Sequence, residues 1–567
     1  MQRVGTALLL SLLVLALLSA RHGPASATED GRIAIYPTDD PQAIVDANPP
    51  GTHFVIKAGT HRHFQVTPRD DDIFEGEPGA VLTGAAVLSD QEWIEEIAGT
   101  RWYIPNQTHE SRVYGECRPE RPRCGYNEWV FRDNAPLEHV ATLDAVATGT
   151  FFHDQAADRI YVGDDPAGHL MEVLLTPWAF DQAGRNVTIK GDADPAKSVV
   201  VEKYASPNQN GAIRALDWTI DNVEVRWNHG AGVEFDGPGG KIRGCYVHHN
   251  GMDGIATYQM HGGQIRGCES EGHAWNGIDP GWGSGWGKIW QADGFLIRGN
   301  YIHDDELGIW VDSDNINIII EYNVSVDNQW EGIKVEIGYD TIVRYNISMG
   351  NGITDDTFFF DSQIVVQNAK NVEVHNNFVR VSPGYGASIG IIEQDRDGHG
   401  PESHGPYLSD FPDIHDNVII FNDAGDVGAV HGVTPPRSDY YDNITFQDNH
   451  YHFVEASPDT DRFNWEGSYI SWEAWQAAGN DTTGSLTTSS DPSPPAPTIA
   501  LAWSPLGGGK WRLDWEALRA TEVVASGGWS GNRRLWGQEV VTPREAKTYT
   551  LTAIGPGGSH EQSVTLP

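Results

Sequence analysis

Cysteine is scarce in this chain, four among 567 residues, so a dense disulfide framework is not what holds it together. Cations are scarce too. Lys and Arg number 38 against 79 Asp and Glu, for a net charge of −41. Nucleic acid and anionic membrane surfaces need clustered cations, so neither is expected as a partner. The same charge repels polyanionic glycans at long range, although salt screens it. No run of 18 apolar residues follows residue 27, which argues against a helical membrane span.

What is present begins with an export signal. Arg3 gives a positive start, Ala7 to Leu18 an apolar core, and Ala25, Ser26 and Ala27 a cleavage site, so the mature chain is expected to begin at Thr28. A secreted, soluble monomer follows as the expectation. Cys117 and Cys124 bracket a charged, proline-containing loop and are expected to form a disulfide. With 20 Trp and 19 Tyr there are more rings than a core requires, and exposed rings stack on sugar faces.

The strongest pattern is a repeat. Cys245, Cys268, Asn300, Asn323, Asn346, Asn377, Asn417 and Asn449 each follow a short apolar run, and three of the gaps are 23 residues. The other gaps are longer, as one repeat carrying insertions would give. A period in this range means stacked repeats, and Ile/Val runs broken by Gly, Asn and Asp mean strands and turns. The expected fold is all-β: a right-handed parallel β-helix with a buried ladder of stacked Asn and Cys side chains. Cys245 and Cys268 are expected as packed thiols in that ladder.

The helix is expected over residues 28–479. A small β-domain is inserted at about 90–175, where the period is lost and Gly149 to Asp154 and Arg159 to Pro166 read as short strands. Residues 480–498 read as a Ser/Thr/Pro linker. Residues 499–567 alternate apolar and polar, as in an immunoglobulin-like β-sandwich acting as spacer or glycan binder.

Each coil also carries a glycine followed by an apolar residue. If that residue points inward, the next points out, and so does the one two further on. Stacking gives two outward columns: Glu234, Ala256, Asp279, Trp310, Lys334, Thr354, and Asp236, Tyr258, Gly281, Asp312, Glu336, Asp356. The longest insertions begin just past this point, at Pro280 to Trp290, around Asp355, Asp356 and Phe358 to Phe360, and at Asp395 to His404. They are expected to wall a cleft over Asp279, Asp312, Lys334 and Glu336, with Trp282, Trp286, Trp290 and Trp310 as sugar-stacking rings.

Asp312 and Glu336 then lie on successive coils, about 5 Å apart in backbone. Two carboxylates so close divide their roles, one ionised and one holding a proton. About 5–5.5 Å suits retaining glycoside hydrolysis, with Asp312 as nucleophile and Glu336 as acid/base. Asp279 or Asp314 would assist or bind sugar hydroxyls, and Lys334 would hold one carboxylate ionised. A lyase is the competing chemistry. Lys334, Tyr339 or Arg344 would serve as base or carboxylate neutraliser, and Asp312, Glu336 and Asp279 would hold Ca²⁺. Hydrolysis needs no cofactor. A third reading is a non-catalytic glycan-binding surface protein.

The stretches Gly308 to Asn315 and Gly332 to Asp340 resemble the core of bacterial secreted β-helix repeat proteins of the pectate-lyase-like superfamily. The inserted β-domain is similar to one found in several of them, including β-helix glycosidases resembling retaining β-xylosidases. The resemblance covers roughly residues 40–455 and implies an Asp and a Glu on successive coils as nucleophile and acid/base, matched here by Asp312 and Glu336. Asp279 and Pro280 open like the Asp-Pro-His-Asp motif of mannuronan epimerases, but Gly281 and Trp282 replace its His and Asp, so that activity is not carried over.

Overall fold

The computed structural model describes residues 31–88, 92–353, 358–384, 386–396, 400–432 and 437–567. The export signal, and Thr354, Asp355 and Asp356, lie outside the described residues.

Three long sheets of 13, 13 and 11 strands form the faces of a parallel β-helix. In the first sheet the inward column runs Ile242, Ile265, Ile297, Ile320, Val343 and Val374 in unbroken register. All six are fully buried. Each such side chain contributes about 1.5–3 kcal/mol on leaving water, so stacking coils is what stabilises them. Outward positions alternate with these and carry the charge.

The Asn ladder is a hydrogen-bonded structure. The backbone N–H and side-chain Nδ2 of Asn300 both donate to Asn323 Oδ1, and the pattern repeats through Asn346, Asn377 and Asn417 to Asn449 at 2.9–3.1 Å. Asp481 is a last rung the sequence did not disclose. Its Oδ1 accepts both donors of Asn449, and its Oδ2 accepts Tyr451 OH and Trp475 Nε1. Cys245 and Cys268 continue the ladder as free buried thiols.

A second ladder, at the turn between the second and third sheets, was not read from sequence. Asn228 donates to Asn250, and Asn328 to Asn351, which donates to Gln363. Asn250 N–H donates to His273 Nδ1, His273 N–H to Asp305 and Asp305 N–H to Asn328, so the line is continuous.

The inserted segment enters between two adjacent coils, because Thr188–Lys190 pairs directly with Ile73–Gly76. It contains a four-stranded and a five-stranded sheet, the latter including Thr150–Asp154 and Arg159–Val162. Its Cys117–Cys124 disulfide is formed.

Two organisational expectations change. Ser485–Thr488, placed in the linker from its Ser and Thr content, is the last strand of the second sheet, paired with His450–Phe453. Leu486 packs on the core, and Ser and Thr stand on the solvent side, where a strand tolerates them. The seven-stranded C-terminal unit, in two sheets, is not a free spacer. Arg266 and Arg298 on the helix both reach Glu516, at 2.7 and 3.3 Å, and Arg243 lies 4.4 Å from the Trp536 ring centre. Among the described residues no helix is long and apolar enough to cross a membrane.

Candidate functional site

The third sheet sets the site. Its strands Gly285–Trp290, Ile309–Asp312, Ile333–Glu336 and Ser362–Gln367 align so that Trp290 faces Asp312 and Glu336 faces Gln367. Trp310 pairs with Lys334 and Val311 with Val335, which makes Asp312 and Glu336 neighbours on successive coils. The outward columns therefore read Glu234, Ala256, Lys288, Trp310, Lys334, Val365 and Asp236, Tyr258, Trp290, Asp312, Glu336, Gln367.

Two coils differ from expectation. Gly277 and Gly352 precede loops, not strands, and the strands start further on. Lys288 and Trp290 thus stand where Asp279 and Gly281 were expected, and Val365 and Gln367 where Thr354 and Asp356 were expected. Asp279 sits in a turn, with its Oδ1 accepting Gly281 N–H and its N–H bonded to Glu116 O. The six-residue strand between it and Trp290 is about 20 Å long. Asp279 is therefore not part of the carboxylate pair. The insertions also lie on both sides of the sheet. Those ending at Ser284 and Asp361 precede their strands, and the one carrying Arg396 follows its strand.

The pair has a repeated design. Trp290 Nε1 donates to Asp312 Oδ2 at 2.9 Å, and Trp310 Nε1 to Glu336 Oε2 at 2.9 Å. Each carboxylate also meets a lysine: Lys288 at 2.9 Å from Asp312 Oδ2, Lys334 at 3.5 Å from Glu336 Oε2. The Trp310 ring lies between the two ammoniums, 3.7 Å from Lys288 and 5.0 Å from Lys334. Arg396 donates to Glu336 Oε1. Among the described residues Asp312 Oδ1 accepts no hydrogen bond, which leaves that oxygen free. Both carboxylates are buried, at 7% and 5% exposure.

Burial works against the charge of Glu336, but Lys334, Arg396 and Lys288 outweigh it and hold the carboxyl below its usual range. Burial also opposes the charge of Lys334, yet Glu331 and Glu336 push it up to about 12. Fully buried Glu331 is raised by desolvation, with the Lys334 ammonium 3.3 Å away. Beside the pair a cavity of about 210 Å³ is lined by Glu234, Asp253, Tyr258, Lys288 and Trp290. Burial pushes Asp253 up to about 7, with Lys288 opposing, and its Oδ1 has no hydrogen-bond partner.

The other expected residues divide. Trp310 is at the site. Trp286, near the start of the Gly285–Trp290 strand, is fully buried and packs in the main core cluster. Trp282 packs edge-on against Tyr114, on the loop side. Arg344 stands on the first sheet, a different face, paired with Glu321 at 2.8 Å. Asp314 and Tyr339 hold the last insertion in place. Asp314 Oδ1 accepts Ser403 N–H and Tyr407 OH, and Tyr339 OH donates to Gly405 O. Sequence reading missed Lys288 and Arg396. Aligning the coils on Ile289, Val311 and Val335 instead of on glycine would have found Lys288. Arg396 lies on an irregular loop, where no period applies.

Residues 208–379 match the family described as right handed beta helix region. No curated protein matches the chain. Among solved structures, the complex of XylC with xylose is 13% identical, covering 91% of this chain and 95% of that one, with a TM-score of 0.56. The A-module of an Azotobacter vinelandii mannuronan C-5 epimerase is 15% identical over 80% of this chain and 94% of that one, with a TM-score of 0.39. The tailspike of an E. coli bacteriophage, solved with a pentasaccharide, is 10% identical over 95% and 91%, with a TM-score of 0.33. The chain is a right-handed parallel β-helix, with the repeat matched over residues 208–379 and the fold shared with XylC.

Proposed function

We propose that this protein is an exported carbohydrate-active enzyme, a retaining glycoside hydrolase in which Asp312 is the nucleophile and Glu336 the acid/base. The cations that favour the ionised form of Glu336 weigh against its acid role, so the roles within the pair need a test of their own. One observation carries the reading: two buried carboxylates on successive coils, each given an indole N–H and an ammonium, with Arg396 from an insertion on Glu336. A backbone spacing of about 4.8 Å between coils is compatible with the roughly 5–5.5 Å between carboxyl groups that a covalent glycosyl intermediate requires. The free Asp312 Oδ1 is the attacking atom. Trp290 and Tyr258 give the neighbouring cavity an aromatic wall for a sugar face. The fold shared with XylC, whose structure holds xylose, supports a glycan substrate.

The lyase chemistry is weaker on physical grounds. Of its three candidate bases, Arg344 is on another face. Tyr339 is hydrogen-bonded to Gly405 O, and burial raises its hydroxyl pKa. Lys334 keeps its proton. Three of the four oxygens of the pair are bonded to Lys288, Lys334 and Arg396, which leaves Ca²⁺ only Asp312 Oδ1.

The test is a panel of neutral and uronic glycans incubated with and without chelator. New reducing ends without ultraviolet absorbance, insensitive to chelator, are expected. An absorbing, unsaturated product lost with chelator would make it a lyase, and binding with no product would make it a binding protein. NMR of the first-formed anomer on the best substrate should show retention.

The roles within the pair are tested through Arg396. Its charge lowers the Glu336 pKa, so Arg396→Met raises it. An acid/base Glu336 then keeps its proton to higher pH, and the alkaline limb of the kcat/KM profile is expected to move up. Movement of the acidic limb alone would exchange the two roles.

A further inference from the structure

Away from the carboxylate pair, the outward face of the second sheet gathers His248, His249 and Glu271. His248 ends one strand and Glu271 ends the next, and the two are register partners on adjacent coils. His249 follows in the left-handed conformation, φ +49°, which brings its ring alongside His248. The two Nδ1 atoms are 2.9 Å apart. The next coil has glycine at the same turn position. A Cβ on Gly272 would lie 2.9 Å from His249 Nε2, so the glycine gives that ring its room.

Two imidazole nitrogens and one carboxylate oxygen, all within 4.8 Å, form the donor set of an open zinc site. The outer contacts are those a ligand set needs. Glu224 lies 3.4 Å from His248 Nε2, which places the proton there and turns the Nδ1 lone pair to the site. Tyr246 OH donates to Glu271 Oε1, and Oε2, which also lies 3.7 Å from His303 Nδ1, is the oxygen that remains for the site. The close Nδ1 contact requires a proton on one of the two nitrogens, and a metal would replace it. Of two further clusters, Glu271, His303 and Asp304 shares its glutamate with this one, and Glu373, His375 and His415 lacks this convergence. Its imidazoles stack 4.9 Å apart with planes within 5°, so their lone pairs run parallel.

We propose that His248, His249 and Glu271 bind one divalent transition-metal ion of the zinc class, clipping two adjacent coils together on a face separate from the carboxylate pair.

The full chain, stripped with chelator and dialysed, is titrated with Zn²⁺ by calorimetry and with Co²⁺ by visible absorption. One ion per chain and a tetrahedral Co²⁺ band are expected. His249→Ala should lose at least about tenfold in affinity, Glu224→Gln should weaken binding by about 10–100-fold, and His415→Ala should leave it unchanged. His249→Gln serves as the second variant, with circular dichroism confirming that each variant folds. Absence of Zn²⁺ binding overturns the proposal. So does binding that survives His249→Ala and His249→Gln, or binding lost in His415→Ala instead.

Discussion

Asp312→Asn is expected to lower kcat at least about a thousandfold on whichever glycan the wild type hydrolyses, equivalent to about 4 kcal/mol of transition-state stabilisation. The substitution is nearly isosteric, and the amide oxygen still accepts Trp290 Nε1, so the fold is expected to stay intact. What is lost is the charge that attacks the anomeric carbon and faces the oxocarbenium-like centre. Glu336→Gln should fall by a similar factor on natural glycosides. It should fall much less on glycosides with a good leaving group, which need no protonation. Added azide should rescue Glu336→Gln by replacing water as second nucleophile, and should not rescue Asp312→Asn in the same way. An Asp312→Asn protein with more than about a tenth of wild-type turnover would remove Asp312 from the reaction.

The charge balance makes that prediction sharp. Asp312, Glu331 and Glu336 face Lys288, Lys334 and Arg396 in a buried patch. Deleting one charge there leaves a partner without its counter-ion, and a buried unpaired charge costs several kcal/mol. Asp312→Asn leaves Lys288 near the Trp310 and Trp290 rings, at 3.7 and 5.0 Å, where cation–π attraction holds it. Folding is therefore expected to survive where chemistry does not.

The repeat was legible because stacking forces it. A residue that lies above an identical residue must recur, so Ile242 to Val374 and Asn300 to Asn449 show as a period. The pair Asp312 and Glu336 was legible for the same reason, each following an inward Val on an uninterrupted coil. Lys288 was hidden because its coil carries the longer loop before its strand, and a glycine-anchored alignment slips when a loop lengthens on that side. Arg344 and Trp286 were misplaced differently. Sequence period tells which residues stack, but the assignment of a stack to one of three faces, and to the inner or outer side, depends on turns. Left-handed residues at those turns, such as Asn222, His249 and Tyr322, redirect the chain without a fixed residue type. The second ladder escaped because two of its rungs are His273 and Asp305, which break the Asn spelling while keeping its hydrogen bonds.

Asn346→Ala is expected to destabilise the fold by about 2–6 kcal/mol, among the largest single-residue effects outside the core aliphatics. Asn346 Oδ1 accepts both the N–H and the Nδ2 of Asn323, and its Nδ2 donates to Ile320 O and Asn377 Oδ1. Truncation leaves Asn323 N–H and Ile320 O without their partners in a dry interior. Each orphaned group carries about 1–3 kcal/mol of desolvation penalty. Asn377 Oδ1 keeps the Asn346 N–H, so the damage runs towards the lower-numbered coil. Asn346→Leu should be no better, since it restores volume but none of these bonds. Cys268→Ala should be milder, because the thiol accepts Cys245 N–H only at 3.4 Å and sulfur is a weak acceptor. Denaturant midpoints of the three variants measure this order. If Asn346→Leu unfolds no earlier than wild type, the ladder is filling space and not satisfying the backbone. If Cys268→Ala proves as damaging as Asn346→Ala, packing volume governs the interior and not hydrogen bonding.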